Sequence, residues 1–232
     1  MGSCALPDDL EYEDYEDAMT ADLPVDDPWT IPEDVGDVAP PGQEHKLAPE
    51  IDPALGTEPV DAFDAAAAIR LARTGLNARD RIRARDLTIQ AASLALRHAS
   101  EIQYTLGARR WDGIRRNRKA WRGEFPRFQD CSSFATWCLW NGLDHFGIRD
   151  VVNGQSWQAG FTGTMTSHGQ RVTRNRLLRG DLLFYANAQR VINHVTIYIG
   201  GGMVISHGSE PGPRKLNMDY RPVVEIRRYI YP

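Results

Sequence analysis

Cysteine is scarce in this chain, three in 232 residues. Cys4 sits in an acidic leading stretch, while Cys131 and Cys138 lie two helical turns apart, so no disulfide framework is expected. No apolar run is long enough to span a bilayer. No basic segment followed by an apolar core opens the chain, which argues against a signal peptide. Leu6 stands where an N-myristoylation motif needs Ser or Thr. Basic residues are nearly missing from residues 1–64, where Lys46 alone faces 19 acidic residues. Those acidic clusters lack the spaced ligands and the glycine of a calcium loop. His145 and His168 have no metal-ligand spacing with a cysteine or carboxylate cluster, so neither a metal site nor a cofactor is expected.

What the leading stretch lacks, the remainder holds. Residues 65–232 contain 12 acidic and 26 basic residues, a balance of +14 that the overall −4 conceals. Residues 1–60 carry nine of the fourteen prolines and no sustained periodicity, the composition of a disordered arm. Such an arm is a solvated tail or, in a sharper reading, an intramolecular mask lying across the basic domain.

From Asp61 the composition turns to Ala, Leu, Ile and Arg. Asp61 or Asp64 can cap a short helix through about Arg73. A longer one is expected from near Asn77 to near Tyr104, with Ile82, Leu87, Ile89, Leu94 and Leu96 as its apolar stripe. Residues 107–128 read as a loop with eight basic residues, among them Arg109, Arg110 and Arg122, interleaved with Trp111, Trp121, Phe125 and Phe128. That mixture suits a basic surface loop pinned by aromatic anchors first, the lining of a cleft for an anionic glycopeptide second, and nucleic acid third.

The chain turns on Asp130-Cys131-Ser132-Ser133-Phe134-Ala135-Thr136-Trp137-Cys138. Cys131, Phe134, Ala135, Cys138 and Leu139 fall on one helical face, Asp130 is placed to cap the helix, and Gly142 to end it. A thiol in a first helical turn feels unpaired N–H groups and the positive dipole end, which favour thiolate. Cys131 is therefore a candidate nucleophile, with a merely buried cysteine as the plain alternative. Cys138, in mid-helix, has nothing to activate it. Downstream, Gly180-Asp181-Leu182-Leu183-Phe184-Tyr185 precedes Asn193-His194-Val195-Thr196-Ile197-Tyr198-Ile199-Gly200-Gly201-Gly202-Met203-Val204-Ile205-Ser206-His207. These runs predict a hairpin turning at Gly200-Gly201. Ile199 then faces Gly202 and His194 faces His207, bringing a general base and an orienting residue together. A turn one residue longer separates them. Pro222 to Ile230 alternates as a last strand. Helices followed by strands imply an α+β fold with an antiparallel sheet.

Asp-Cys-Ser before an apolar helix, Gly-Asp-Leu-Leu-Phe, then His-Val-x-Ile-Tyr-Ile-Gly and a closing Ser-His resemble the NlpC family of papain-like cysteine peptidases, which cut bacterial cell-wall peptides. The resemblance covers roughly the second half of the chain. It departs at Ser133, where the family usually has glycine. It implies a papain-like fold, with Cys131 as nucleophile, His194 as base and His207 as third, orienting residue. It also implies Asp130 and Ser132 as contacts to the amine end of a peptidoglycan stem peptide. Tyr104 would be a tyrosine near the reaction centre, and Trp157 a wall of the cleft or a buried structural residue. The domain plan is then an arm over 1–60 and a catalytic domain over 61–232, divided into helices (61–104), the basic aromatic loop (105–130), and the nucleophile helix with its sheet (131–232).

The expected function is hydrolysis of amide bonds in peptidoglycan stem peptides, as a phage-type or exported lysin reaching the wall after lysis, through a pore or by specialised export. A positive domain would be drawn to an anionic envelope by salt-sensitive electrostatics. Two rivals stand beside it. One is a papain-like acyltransferase or deamidase acting as effector or toxin; the other, less favoured, is a basic nucleic-acid-binding protein that leaves Cys131 idle.

Overall fold

The computed structural model describes residues 76–116, 119–208 and 212–231. The acidic arm, the short helix expected before Arg73 and Arg118 lie outside them. Helix α1 (Ala78–Arg97) begins at Asn77, whose side chain accepts the Asp80 N–H. Its expected stripe is buried at Leu87, Ile89, Leu94 and Leu96, but Ile82 is exposed. The helix stops at Arg97 rather than near Tyr104. After a 3-10 turn (Ala99–Glu101) the chain extends as β1 (Gln103–Tyr104) and pairs in parallel with β2 (Phe128–Gln129). Pairing with β2 sets Tyr104 beside the residues that lead into the cysteine helix, a long-range demand that local helix propensity does not contain.

The basic stretch is not a plain loop, since it holds α2 (Arg109–Arg116) and a 3-10 turn (Ala120–Arg122). Aromatics pin it: Trp111 is buried, Phe125 stacks on His98 at 4.3 Å, and the Arg109 guanidinium lies 3.7 Å over the Phe128 ring. Trp121 remains 54% exposed, with the Arg122 guanidinium 4.5 Å from its ring.

Helix α3 (Cys131–Leu143) is buried at every residue and packs along α1. Gly142 does not end it. A Cβ there would stand 2.2 Å from Thr88 Oγ1 and 2.4 Å from the Ala84 carbonyl, so glycine allows the two helices to approach. The left-handed stop comes at Gly147 (φ +69), after a 3-10 turn over Asp144–Phe146. The following loop is tied by Asp150, whose carboxylate accepts the N–H groups of Val152, Asn153, Gln155 and Trp157. It continues into the short helix α4 (Thr162–Thr166).

The six-stranded antiparallel sheet follows: β3 (Gln170–Arg171), β4 (Leu182–Ala186), β5 (Ile192–Gly200), β6 (Met203–Ser206), β7 (Arg214–Asn217) and β8 (Val223–Arg228), in the order β3-β8-β4-β5-β6-β7. Asp181 of the Gly-Asp-Leu-Leu-Phe stretch is buried against Arg228, with Oδ2 to Nη2 at 2.7 Å, locking the start of β4 to the end of β8. One face of the sheet joins α1 and α3 in the main core through Leu182, Phe184, Val195, Ile197 and Ile205. Leu183, Tyr185, Val204 and Leu216 build a second cluster on the other face.

The β5–β6 hairpin corrects the expected register. Thr196 pairs with Ser206, Ile197 with Ile205, Tyr198 with Val204 and Gly200 with Met203, with a bulge at Ile199. The turn is Gly201-Gly202, both at positive φ (+58 and +76), as a tight hairpin turn with two left-handed positions requires. Three successive glycines allow the turn to slide by one position, and the bulge absorbs the extra residue. His194 therefore does not face His207, which lies just beyond the end of β6.

Candidate active site

The site grows from the start of α3. Asp130 is the N-cap, its Oδ1 accepting the Ser133 N–H at 2.7 Å, while Ser133 Oγ accepts the Asp130 N–H at 2.8 Å. This reciprocal box gives a structural use to the serine that departs from the family pattern, and a cap of this kind is worth about 1 kcal/mol. Asp130 is fully buried, and Arg110 Nη1 bonds its Oδ2 at 2.5 Å. Ser132 Oγ lies 3.1 Å from both carboxylate oxygens. Asp130 is thus engaged by a cation, a backbone amide and a hydroxyl of its own chain. Cys131 opens the helix, itself fully buried. Burial pushes the Cys138 thiol well up, which makes it a poor nucleophile.

On β5, His194 is buried on the same face as its cross-strand partner Tyr185, with ring centroids 5.9 Å apart. Its Nε2 meets Ser206 Oγ at 2.8 Å; its Nδ1 has no hydrogen-bond partner among the described residues. Gly208 allows the ring its place, because a Cβ there would come within 2.7 Å of His194 Cε1. Tyr220, from the turn between β7 and β8, stands edge-on to His194 at 6.5 Å. Burial raises the Tyr220 phenol; the Ser206 hydroxyl opposes the shift and the charge at Cys131 adds to it. Arg221 bonds Asn193 Oδ1 at 3.0 Å. Burial, then Arg221, then His207 push His194 down to about 3, so at neutral pH its imidazole is uncharged and able to accept a proton.

His207 also stands close to the helix start. Its ring meets Phe134 of α3 edge-on at 6.1 Å and Tyr104 at 5.4 Å. It is fully buried and pushed down to about 3 by burial, and neither ring nitrogen has a hydrogen-bond partner among the described residues. His207 thus connects Tyr104 and Phe134 of α3 to His194, and Tyr220 connects His194 to Cys131, but the hydroxyl that holds His194 belongs to Ser206. Trp157 is elsewhere. It stacks on Trp140 with centroids 6.0 Å apart and planes within 5°. Trp140 is nine residues beyond Cys131 on α3, about 14 Å along the axis.

Sequence reasoning missed Ser206, Tyr220 and Arg110. Ser206 had a signal, since a register shifted by one residue pairs it with Thr196 and so puts it on the same face as His194. Arg110 and Tyr220 reach the site only through tertiary structure.

A helix opening on cysteine, packed against an antiparallel sheet that carries a buried, hydroxyl-bound histidine, defines the papain-like α+β class. The sequence model of the NlpC/P60 family matches residues 117–220, a stretch holding Asp130, Cys131, His194, Ser206 and His207. Among solved structures, NlpC1 from Trichomonas vaginalis is 21% identical, with 68% of this chain and 46% of that chain covered and a TM-score of 0.43. The NlpC/p60 domain of the peptidoglycan hydrolase SagA is 20% identical over 62% of this chain and 97% of that chain, TM-score 0.40. The P60 domain of an antigen from M. avium subspecies paratuberculosis is 21% identical over 66% and 98%, TM-score 0.41. The chain spans under half the length of the Trichomonas protein.

Proposed function

We propose that the protein is a cysteine peptidase that hydrolyses amide bonds in peptidoglycan stem peptides, with Cys131 as nucleophile, His194 as general base and Ser206 as the residue that orients it. The observation that carries this reading is the buried His194, held through Nε2 by Ser206 Oγ while Nδ1 has no hydrogen-bond partner among the described residues, and linked to Cys131 through Tyr220, which stands edge-on to the imidazole and feels the cysteine. An imidazole fixed through one nitrogen offers the other to a thiol proton.

Cys131 Sγ attacks the peptide carbonyl and its proton passes to His194. The backbone N–H of Cys131, at the start of α3, helps hold the oxyanion, as amides at a helix N-terminus do. Protonated His194 gives its proton to the leaving amine, leaving a thioester. Water, deprotonated by His194, then cleaves the thioester and regenerates the thiol. Peptidoglycan as substrate rests on the family match over residues 117–220. A lysin delivered to the wall from outside or by lysis fits the same reading.

The test is incubation of the full chain with purified peptidoglycan and mass spectrometry of the soluble fragments. The expected result is release of peptides bearing new amine and carboxyl ends, abolished by Cys131→Ser. Fragment release that survives Cys131→Ser refutes the assignment.

A further inference from the structure

Two residues before the nucleophile stands a side chain with no structural explanation. Gln129 is fully buried, and neither Oε1 nor Nε2 of its carboxamide has a hydrogen-bond partner among the described residues. Its backbone is accounted for, the carbonyl accepting the Thr105 N–H at 2.8 Å. The side chain alone is orphaned. Burying an amide without partners is among the costlier things a fold can do, and native structures retain such groups mainly where something else completes them.

Position says what that something is. Gln129 pairs in parallel with Tyr104, so both side chains project from the same face of the two-stranded sheet. The Tyr104 ring is the one that meets His207. Phe128, pointing the other way, is taken up by Arg109. The carboxamide is therefore directed to the side of β2 on which the histidine cluster lies, one residue from the cap of the cysteine helix. It is as buried as Cys131 and His194. A carboxamide combines one acceptor with a donor pair, the complement of a backbone peptide group, which offers one N–H and one C=O.

On the reading of Cys131 as nucleophile, we propose that Gln129 is a substrate-positioning residue whose carboxamide pairs with a backbone peptide group of the peptide bound at the thiol. Its Nε2 donates to the substrate carbonyl and its Oε1 accepts the substrate N–H. The pairing selects peptides over small acyl compounds.

The experiment compares two thiol reagents on the full chain, following modification of Cys131 by peptide mapping. Methyl methanethiosulfonate carries no amide; a dialanine chloromethyl ketone carries a peptide group. Gln129→Met keeps the side-chain length and removes both hydrogen-bonding ends, and Gln129→Leu serves as a second variant. The expected result is an unchanged rate with the small reagent, a rate about tenfold to a hundredfold lower with the peptide reagent, and an equal or higher melting temperature. Equal rates for wild type and variants with both reagents would mean that the amide holds ordered water only. Equal losses with both reagents would mean that it supports the helix start. Either outcome overturns the proposal while leaving Cys131 as nucleophile. Failure of both reagents to modify Cys131 in the wild type overturns the nucleophile assignment and the proposal together.

Discussion

Acid should destabilise this fold well before its carboxylates are protonated, because two histidines are held neutral in the interior. His194 is faced by Tyr185, Tyr220, Arg221, Ser206 and His207, and His207 by Tyr104 and Phe134, with no carboxylate among these neighbours. Both are pushed from 6.5 down to about 3, first by burial. A depressed histidine contributes stability that is fully present above the unfolded value and is lost as pH falls toward the folded one, since the unfolded chain binds the proton first. Between pH 7 and 5 the native rings remain uncharged, so the loss is set by the unfolded value and is insensitive to how far below 5 the folded one lies. It comes to about 2 kcal/mol for each ring and about 4 kcal/mol for the pair, a large share of a typical 5–15 kcal/mol. Urea unfolding followed by tryptophan fluorescence at the two pH values measures it. His207→Leu should remove about half of the pH-dependent part, and the comparison of variant with wild type cancels the titration of distant groups. A wild-type difference below about 1 kcal/mol, or a pH dependence untouched by His207→Leu, would mean that the rings are charged in the native state and that the burial argument fails.

Three further outcomes are expected. Cys131→Ser should abolish turnover and remove the thiol-reagent label from the cysteine-helix peptide with the fold intact, whereas Cys138→Ser should keep turnover, because the Cys138 thiol is buried and its ionisation suppressed; peptide mapping that finds the label on Cys138 reverses the assignment. Ser206→Ala should lower kcat by about tenfold or more with little change in KM, because it removes the hydroxyl that holds His194; His207→Leu should lower it less. Gly142→Ala should cost about 1–3 kcal/mol by chemical denaturation, since its Cβ would meet the Ala84 carbonyl at 2.4 Å.

Local chemistry made the cysteine helix legible. Asp130 caps it as its residue type and place suggested, and Cys131, Phe134, Ala135, Cys138 and Leu139 are all buried. The last strand and the antiparallel sheet were legible for the same reason, since alternation over a few residues carries the signal. The errors arise where distant segments decide. Nothing in His98-Ala99-Ser100-Glu101 forbids helix; α1 ends there because Gln103 and Tyr104 pair with Phe128 and Gln129. Gly142 has the residue type of a helix stop and serves instead as a point of contact with α1. The hairpin shows the sharpest case. Gly200-Gly201-Gly202 admits two registers, and strand alternation cannot choose between them when Ser206 and His207 are adjacent polar residues. The bulge at Ile199 chooses, and it gives His194 a hydroxyl as partner in place of a second imidazole. The consequence is chemical. A serine hydroxyl can hold the His194 ring by accepting from Nε2, yet it carries no charge to stabilise imidazolium. Arg221 and His207 further oppose protonation. On the proposed mechanism the proton taken from Cys131 is therefore held only briefly on His194, and the base works from the neutral form. Its acid limb in kcat/KM should fall below pH 5 rather than near the ordinary histidine value of about 6.5. An acid limb measured near 6.5, in a wild type whose fold is intact at that pH, would show that His194 gains a charge partner on substrate binding and that Ser206 alone does not set its protonation.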